Sequence, residues 1–165
     1  MKKTIIVYGS TTGNCQEYAE KIAQKLGVSD VKNVADVDAD TLSGYDNLLL
    51  GTSTWGAGEL QDDWYDGVEM LKRTDLKGKT IALFGCGDAS GYSDTFCGGM
   101  SAIYDAVKDS GAKLIGQVAA DSYTYDDSES VVDGKFVGLA IDSSEDEDAI
   151  DNRIESWTES IKSEL

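Results

Sequence analysis

The chain has 165 residues, of which 14 are Lys or Arg and 31 are Asp or Glu, for a formal net charge of −17. That charge argues against nucleic-acid binding, because a phosphate backbone would be repelled. The absence of histidine removes the usual general base, the imidazole metal ligand and the Ser–His and Cys–His dyads. No apolar run approaches the roughly 20 residues that span a bilayer. Cys15, Cys86 and Cys97 make neither a disulfide framework nor a CxxC pair. The expectation is one domain over 1–165, monomeric, without a metal and without a membrane span. Met1-Lys2-Lys3 runs straight into a strand rather than into a signal-peptide pattern, which predicts a soluble, cytoplasmic protein. An acidic surface suits steered encounters with basic protein partners, and it serves solubility equally well.

Proline is absent, so glycine supplies most of the punctuation. Ile5-Ile6-Val7 marks a first strand over about 3–8. A helical pattern with Tyr18, Ala19, Ile22, Ala23 and Leu26 on one face follows it closely. Between them lies Ser10-Thr11-Thr12-Gly13-Asn14-Cys15, a hydroxyl-rich turn opening directly onto a helix. The free N–H groups of a first helical turn and the helix dipole suit a phosphate there. Gly13 lets the backbone approach closely, and the turn has no Lys or Arg, so a phosphate would be held by neutral donors.

Val31 to Asp36 reads as a weak second strand, and Asp38 to Leu42 as a short helix. Asn47-Leu48-Leu49-Leu50-Gly51 is a continuously apolar third strand, the pattern of a sheet covered on both faces. Trp64, Val68 and Leu71 give an amphipathic helix with an acidic first turn. Lys79 to Gly85 is the fourth strand, and Met100, Ile103, Tyr104 and Val107 face inward on the helix that follows, stopped by Gly111. A fifth strand starts at Leu114 to Val118, is interrupted by an insertion over 119–136, and resumes at 137–141. The last helix begins near 145 and buries Ile150, Ile154, Trp157 and Ile161. This alternation predicts an α/β, doubly wound three-layer α/β/α sandwich around a parallel sheet.

In such a sheet the loops after strands one, three and four open on one side. The second of them, Gly51 to Glu59, carries Trp55, and the third, Gly85 to Cys97, carries Tyr92. Trp55 either covers a ligand or folds back onto the core, since an exposed indole covering nothing is costly. Together the two aromatics are placed to sandwich a flat ring whose phosphate sits in the first loop. A P-loop is excluded because no GxxxxGK[ST] lysine is present. A receiver-type signalling module would end the third strand in an acceptor Asp, where this chain has Gly51-Thr52-Ser53.

These three motifs, Ser10 to Cys15, Trp55-Gly56 and Gly87-Asp88-Ala89-Ser90-Gly91-Tyr92, resemble those of the flavodoxins over essentially the whole chain. The interrupted fifth strand resembles the long-chain, bacterial type, with sheet order 2-1-3-4-5. The resemblance implies a low-potential one-electron carrier that binds FMN non-covalently, needs no catalytic residue, and shuttles electrons between redox enzymes. Its partners would be basic-surfaced reductases and electron-accepting enzymes. It implies that Ser10, Thr11, Thr12, Gly13 and Asn14 hold the FMN phosphate, joined by Cys15, where the family usually has Thr. A thiol is the weaker donor, but the Cys15 backbone N–H still serves. Trp55 and Tyr92 match the positions flanking the isoalloxazine, and Ser53 and Thr54 approach the ribityl chain or the phosphate. Gly56 matches a backbone turn that reorients on reduction, while Gly87, Asp88, Thr95 and Cys97 match positions facing the pyrimidine edge. An FMN-dependent quinone reductase on the same fold is the rival, and aromatic cover on both ring faces favours the carrier.

Overall fold

The computed structural model describes residues 2–9, 14–55, 59–60, 63–88, 91, 96–123 and 125–165, with the backbone alone at 14, 54, 55, 59, 60 and 122. In chain order its first elements are β1 (Thr4–Gly9), α1 (Asn14–Leu26), β2 (Val31–Asn33), α2 (Ala39–Ser43), β3 (Asn47–Trp55), β4 (Glu59–Leu60) and α3 (Asp63–Arg73). After them come β5 (Thr80–Gly87), α4 (Gly99–Val107), β6 (Lys113–Ile115), β7 (Val118–Ala119), β8 (Val131–Val132), β9 (Lys135–Phe136), β10 (Leu139–Asp142) and α5 (Glu147–Lys162).

β1 is buried along its whole length, as a strand covered on both faces must be. It pairs in parallel with β2 on one side and β3 on the other, and β3 pairs in parallel with β5. The last position is shared: β6 runs beside Thr80 to Ala82 and β10 beside Phe84 to Gly87. The sheet therefore has the expected order 2-1-3-4-5 with an interrupted fifth strand. Side-chain alternation along the strands divides the core in two. Ile5, Val7, Leu48, Leu50, Ile81 and Leu83 face Trp64, Leu71, Met100, Ile103 and Val107 of α3 and α4. Ile6, Leu49, Ala82 and Phe84 face Ile22 of α1 and Ile154, Trp157 and Ile161 of α5.

Two boundaries differ from the sequence reading. The second strand stops at Asn33, whose side chain accepts from Ala35 N at 2.9 Å and turns 34–36 into a 3-10 helix. The third strand extends past Gly51 to Trp55, because Thr52 and Ser53 stay in register with Gly85 and Cys86 and β4 pairs antiparallel with its last two residues. Gly51 itself is required by contact: a Cβ there would meet the Phe84 ring at 2.1 Å.

Between β6 and β10 the chain leaves the main sheet. β7, β9 and β8 form a small antiparallel sheet in that order. It is joined to the body by an aromatic cluster in which Phe136 lies 4.9 Å from Tyr123, 5.3 Å from Tyr125 and 5.7 Å from Phe96, measured between ring centroids. The Tyr123 hydroxyl also donates to Ala140 O at 2.7 Å, covering part of an otherwise open strand edge.

Candidate functional site

Strand register brings the candidate residues into one row. Gly9 lies opposite Thr52, Ser53 opposite Cys86, and Gly87 opposite Asp142, so the ends of β1, β3, β5 and β10 line one edge of the sheet. The loops named from the sequence leave from that edge. Ser10, Thr11, Thr12, Gly13, Gly56, Tyr92 and Thr95 lie outside the described residues. Thr54 and Trp55 end β3, and Asn14 opens α1.

At the start of α1, Cys15 is completely buried. Its thiol is pushed well above the ordinary range, first by a hydrogen bond with the Cys86 thiol and then by burial. The side chain thus belongs to the core, and it is the backbone N–H that remains to serve the turn before it. Ser53 shares the sheet face of Cys86. Its Oγ is buried and has no hydrogen-bond partner among the described residues. A buried hydroxyl left without a partner costs about 1–3 kcal/mol. A ligand with an acceptor at this edge would remove that cost, so the residues present fit a phosphorylated group placed against the helix start.

The loop after β5 is anchored differently. Cys97 is fully buried in a left-handed conformation, φ 51°, which is uncommon outside glycine and Asn. Its thiol lies 3.8 Å from Gly85 O and 3.7 Å from Ile141 O, and burial raises the thiol well above its ordinary value. Gly87 makes this approach possible, since a Cβ there would stand 2.8 Å from Cys97 N. An Asp88 carboxylate oxygen accepts from Gly91 N at 3.1 Å, closing the first turn of the loop.

Residues that the sequence did not single out hold the far side of this loop. Asp127 O accepts from Phe96 N at 3.2 Å, the Ser128 hydroxyl donates to Phe96 O, and the Ser130 hydroxyl donates to Cys97 O at 2.7 Å. Both serines are buried. Their partners are more than thirty positions away in the chain, so no spacing pattern announces them.

The field at this edge is negative. Asp63 and Asp66 stand in the first turn of α3, Asp88 follows β5, and Asp146, Glu147 and Asp148 start α5. Nearby Lys21 is taken up by carboxylates, with Asp151 at 2.8 Å, Glu147 at 3.7 Å and Glu17 at 4.0 Å, and the Asp151 contact raises its pKa. Among the described residues no cluster of three or more His, Cys, Asp or Glu is placed to hold a metal, and no helix is long and apolar enough to cross a membrane.

The family model described as Flavodoxin matches residues 6–157. Flavodoxin 1 of Azotobacter vinelandii is 42% identical over 171 residues, covering 100% of this chain and 98% of its own. The flavodoxin of Synechococcus elongatus is 38% identical over 168 residues, covering 100% and 99%. Among solved structures, a Fusobacterium nucleatum flavodoxin bound to flavin mononucleotide superimposes with a TM-score of 0.91 at 31% identity, over 100% of this chain and 99% of the other.

Proposed function

Because this chain belongs to the flavodoxin family, we propose that the row of strand ends is where it holds FMN and that the surrounding carboxylates keep the bound cofactor at low potential. The protein is an electron carrier rather than an enzyme, and it works through FMN with redox partner proteins. Bound FMN supplies the redox chemistry, and the protein supplies binding, orientation and field.

The observation that carries the assignment of the site is the buried Ser53 hydroxyl, which has no partner among the described residues and lies opposite Cys86, a residue of the same core cluster as Cys15. With the N–H groups of Asn14 and Cys15 and the hydroxyls of Ser10, Thr11 and Thr12, it forms a set of neutral donors for the phosphate. Gly13 leaves room for that approach. Trp55 and Tyr92 cover the two faces of the ring, each contributing about 0.5–1.5 kcal/mol beyond area burial, so the phosphate end carries much of the affinity. Thr54 and Gly56 lie along the chain between these groups. Gly87, Asp88, Thr95 and Cys97 face the pyrimidine edge.

The acidic rim at 63, 66, 88 and 146–148 disfavours additional negative charge on the ring and attracts basic surfaces on reductases and acceptor enzymes. FMN titration of the purified apoprotein tests this reading. Flavin fluorescence should be quenched at one equivalent, and stepwise dithionite reduction should proceed in two separated one-electron phases. A chain that leaves flavin fluorescence unchanged does not have this function.

A further inference from the structure

The insertion between β6 and β10 reaches back to the loop that follows β5, and it does so through buried hydroxyls. Ser128 donates to Phe96 O, and Asp127 O accepts from Phe96 N at 3.2 Å, so both backbone groups of Phe96 are held by the insertion. The Phe96–Cys97 peptide is planar and trans, which points its N–H opposite to its C=O. With the carbonyl turned toward Ser128, the Cys97 N–H is turned away from the insertion. No acceptor for that N–H is found among the described residues. Gly87 packs close to this nitrogen, where a Cβ would stand only 2.8 Å away, so a side chain at 87 would crowd the amide. The next peptide is fixed as well, because Cys97 O accepts from Ser130 Oγ at 2.7 Å and from Met100 N at 3.3 Å. The left-handed φ of 51° at Cys97 is thereby held from both sides.

We propose that Ser128 is a positioning residue for the cofactor: by holding the Phe96 carbonyl, it aims the Cys97 N–H at a carbonyl on the pyrimidine edge of the flavin. The proposal rests on the reading of this edge as an FMN site. A donor aimed there matters more as electron density grows on the ring, since hydrogen bonds to a charged acceptor are roughly twice as strong as neutral ones. Ser128 therefore acts on potential as well as on affinity, and the insertion has a part in the cofactor site without touching it.

The test uses the full chain with Ser128→Ala and Ser128→Thr, titrated with FMN and with riboflavin, which keeps the pyrimidine edge but lacks the phosphate. S128A should weaken both flavins by a similar factor, about tenfold, the loss of one well-placed donor. It should also move the two-electron midpoint potential of bound FMN in the negative direction, and S128T should restore affinity and potential together. In the unmutated chain the Cys97 amide should become protected from hydrogen exchange when FMN is added. That measurement stands even if S128A does not fold. Unchanged affinity and potential in S128A would overturn the proposal, as would a fall in affinity with the potential unmoved, which is the mark of a purely structural role. An unprotected Cys97 amide in the FMN-loaded chain would overturn it too. If the unmutated chain binds neither flavin, it is the FMN reading that has failed.

Discussion

At the start of α1 the backbone donors are near neighbours, since Asn14 and Cys15 follow β1 within a few residues, and Ser53 is added to them by the pairing of β3 with β5 in the main sheet. At the other end of the same edge, the loop after β5 keeps its shape through Ser128 on Phe96 and Ser130 on Cys97, contacts spanning 32 and 33 positions. The first arrangement needs only β1, α1 and the pairing of the main-sheet strands, so its donors come with the core of the fold. The second needs a separately folded insertion to dock before the backbone groups are aimed. One end is set by the main sheet and its first helix and the other by a docked insertion, and the two should therefore fail under different substitutions.

The largest expected effect is on the supported end. Gly138 brings the insertion back against β5, and a Cβ at this position would lie 2.0 Å from Leu83 O, a backbone atom of a central strand. Neither side can move without breaking the ladder between β5 and β10. Gly138→Ala should cost about 3 kcal/mol in urea denaturation, at the upper end for overpacking a core. An unchanged midpoint would mean that the insertion can shift freely at its return, and the contrast between the two ends would fail.

Alkaline pH separates the ends with one tyrosine in each. Burial pushes both Tyr18, on α1, and Tyr123, in the insertion, up to about 12 from an ordinary value of 10.0. Between these values the unfolded chain has lost phenol protons that the folded chain still holds, so stability falls as pH rises. The contribution is fully present below about pH 10 and is lost as pH passes through about 12. Tyr18→Phe should remove part of that slope and leave stability at pH 8 unchanged. Tyr123→Phe should remove its own part and also cost about 1 kcal/mol at pH 8, because its hydroxyl bonds Ala140 O. Equal behaviour of the two variants at pH 8 would count against the role given to the Tyr123 hydroxyl.

Cys15→Ala tests the end at α1. The thiol is completely buried in the core beside α1, so its loss should cost about 1–2 kcal/mol of stability as a small core truncation. FMN affinity should stay within about twofold, since the backbone N–H is retained and a twofold change is under 0.5 kcal/mol. A large fall in affinity at unchanged stability would make the thiol a direct ligand.

The unequal legibility of the two ends follows from the same physics. Continuous apolar runs such as Leu48-Leu49-Leu50 and the stripe of Ile150, Ile154, Trp157 and Ile161 carry their burial in their spacing, and both are buried as read. β1 and α1 on either side of residues 10–13 were legible from Ile5-Ile6-Val7 and from the apolar face of Tyr18, Ala19, Ile22, Ala23 and Leu26. The extension of β3 to Trp55 was not legible, since it depends on β4 and β5 as partners rather than on the composition of Thr52-Ser53-Thr54. Nor were Asp127, Ser128 and Ser130, which in sequence are only polar residues within an insertion. Their meaning lies in which carbonyls they reach, and that is decided by the docking of Phe136, Tyr123 and Tyr125 around Phe96.

The smallest expected effect concerns the field that both ends share. A single carboxylate about 8 Å from the ring at an effective dielectric of about 20 disfavours an added negative charge by roughly 2 kcal/mol. For a one-electron step this is about 90 mV, from about 59 mV per tenfold change. Most carboxylates at this edge are solvated, and screening over about 10 Å at 0.1 M salt, shrinking to about 3 Å at 1 M, cuts each contribution down. Raising salt from low to molar concentration should therefore move the second reduction potential upward by on the order of tens of millivolts. Asp88→Asn should move it the same way by a smaller amount and leave less salt response behind. Asp88 belongs to the loop after β5, whereas Asp146 to Asp148 start α5 across β10. If neutralising Asp88 and neutralising Asp148 shift the potential equally, the field is diffuse. If Asp88 dominates, the end that the insertion holds in place also sets the potential.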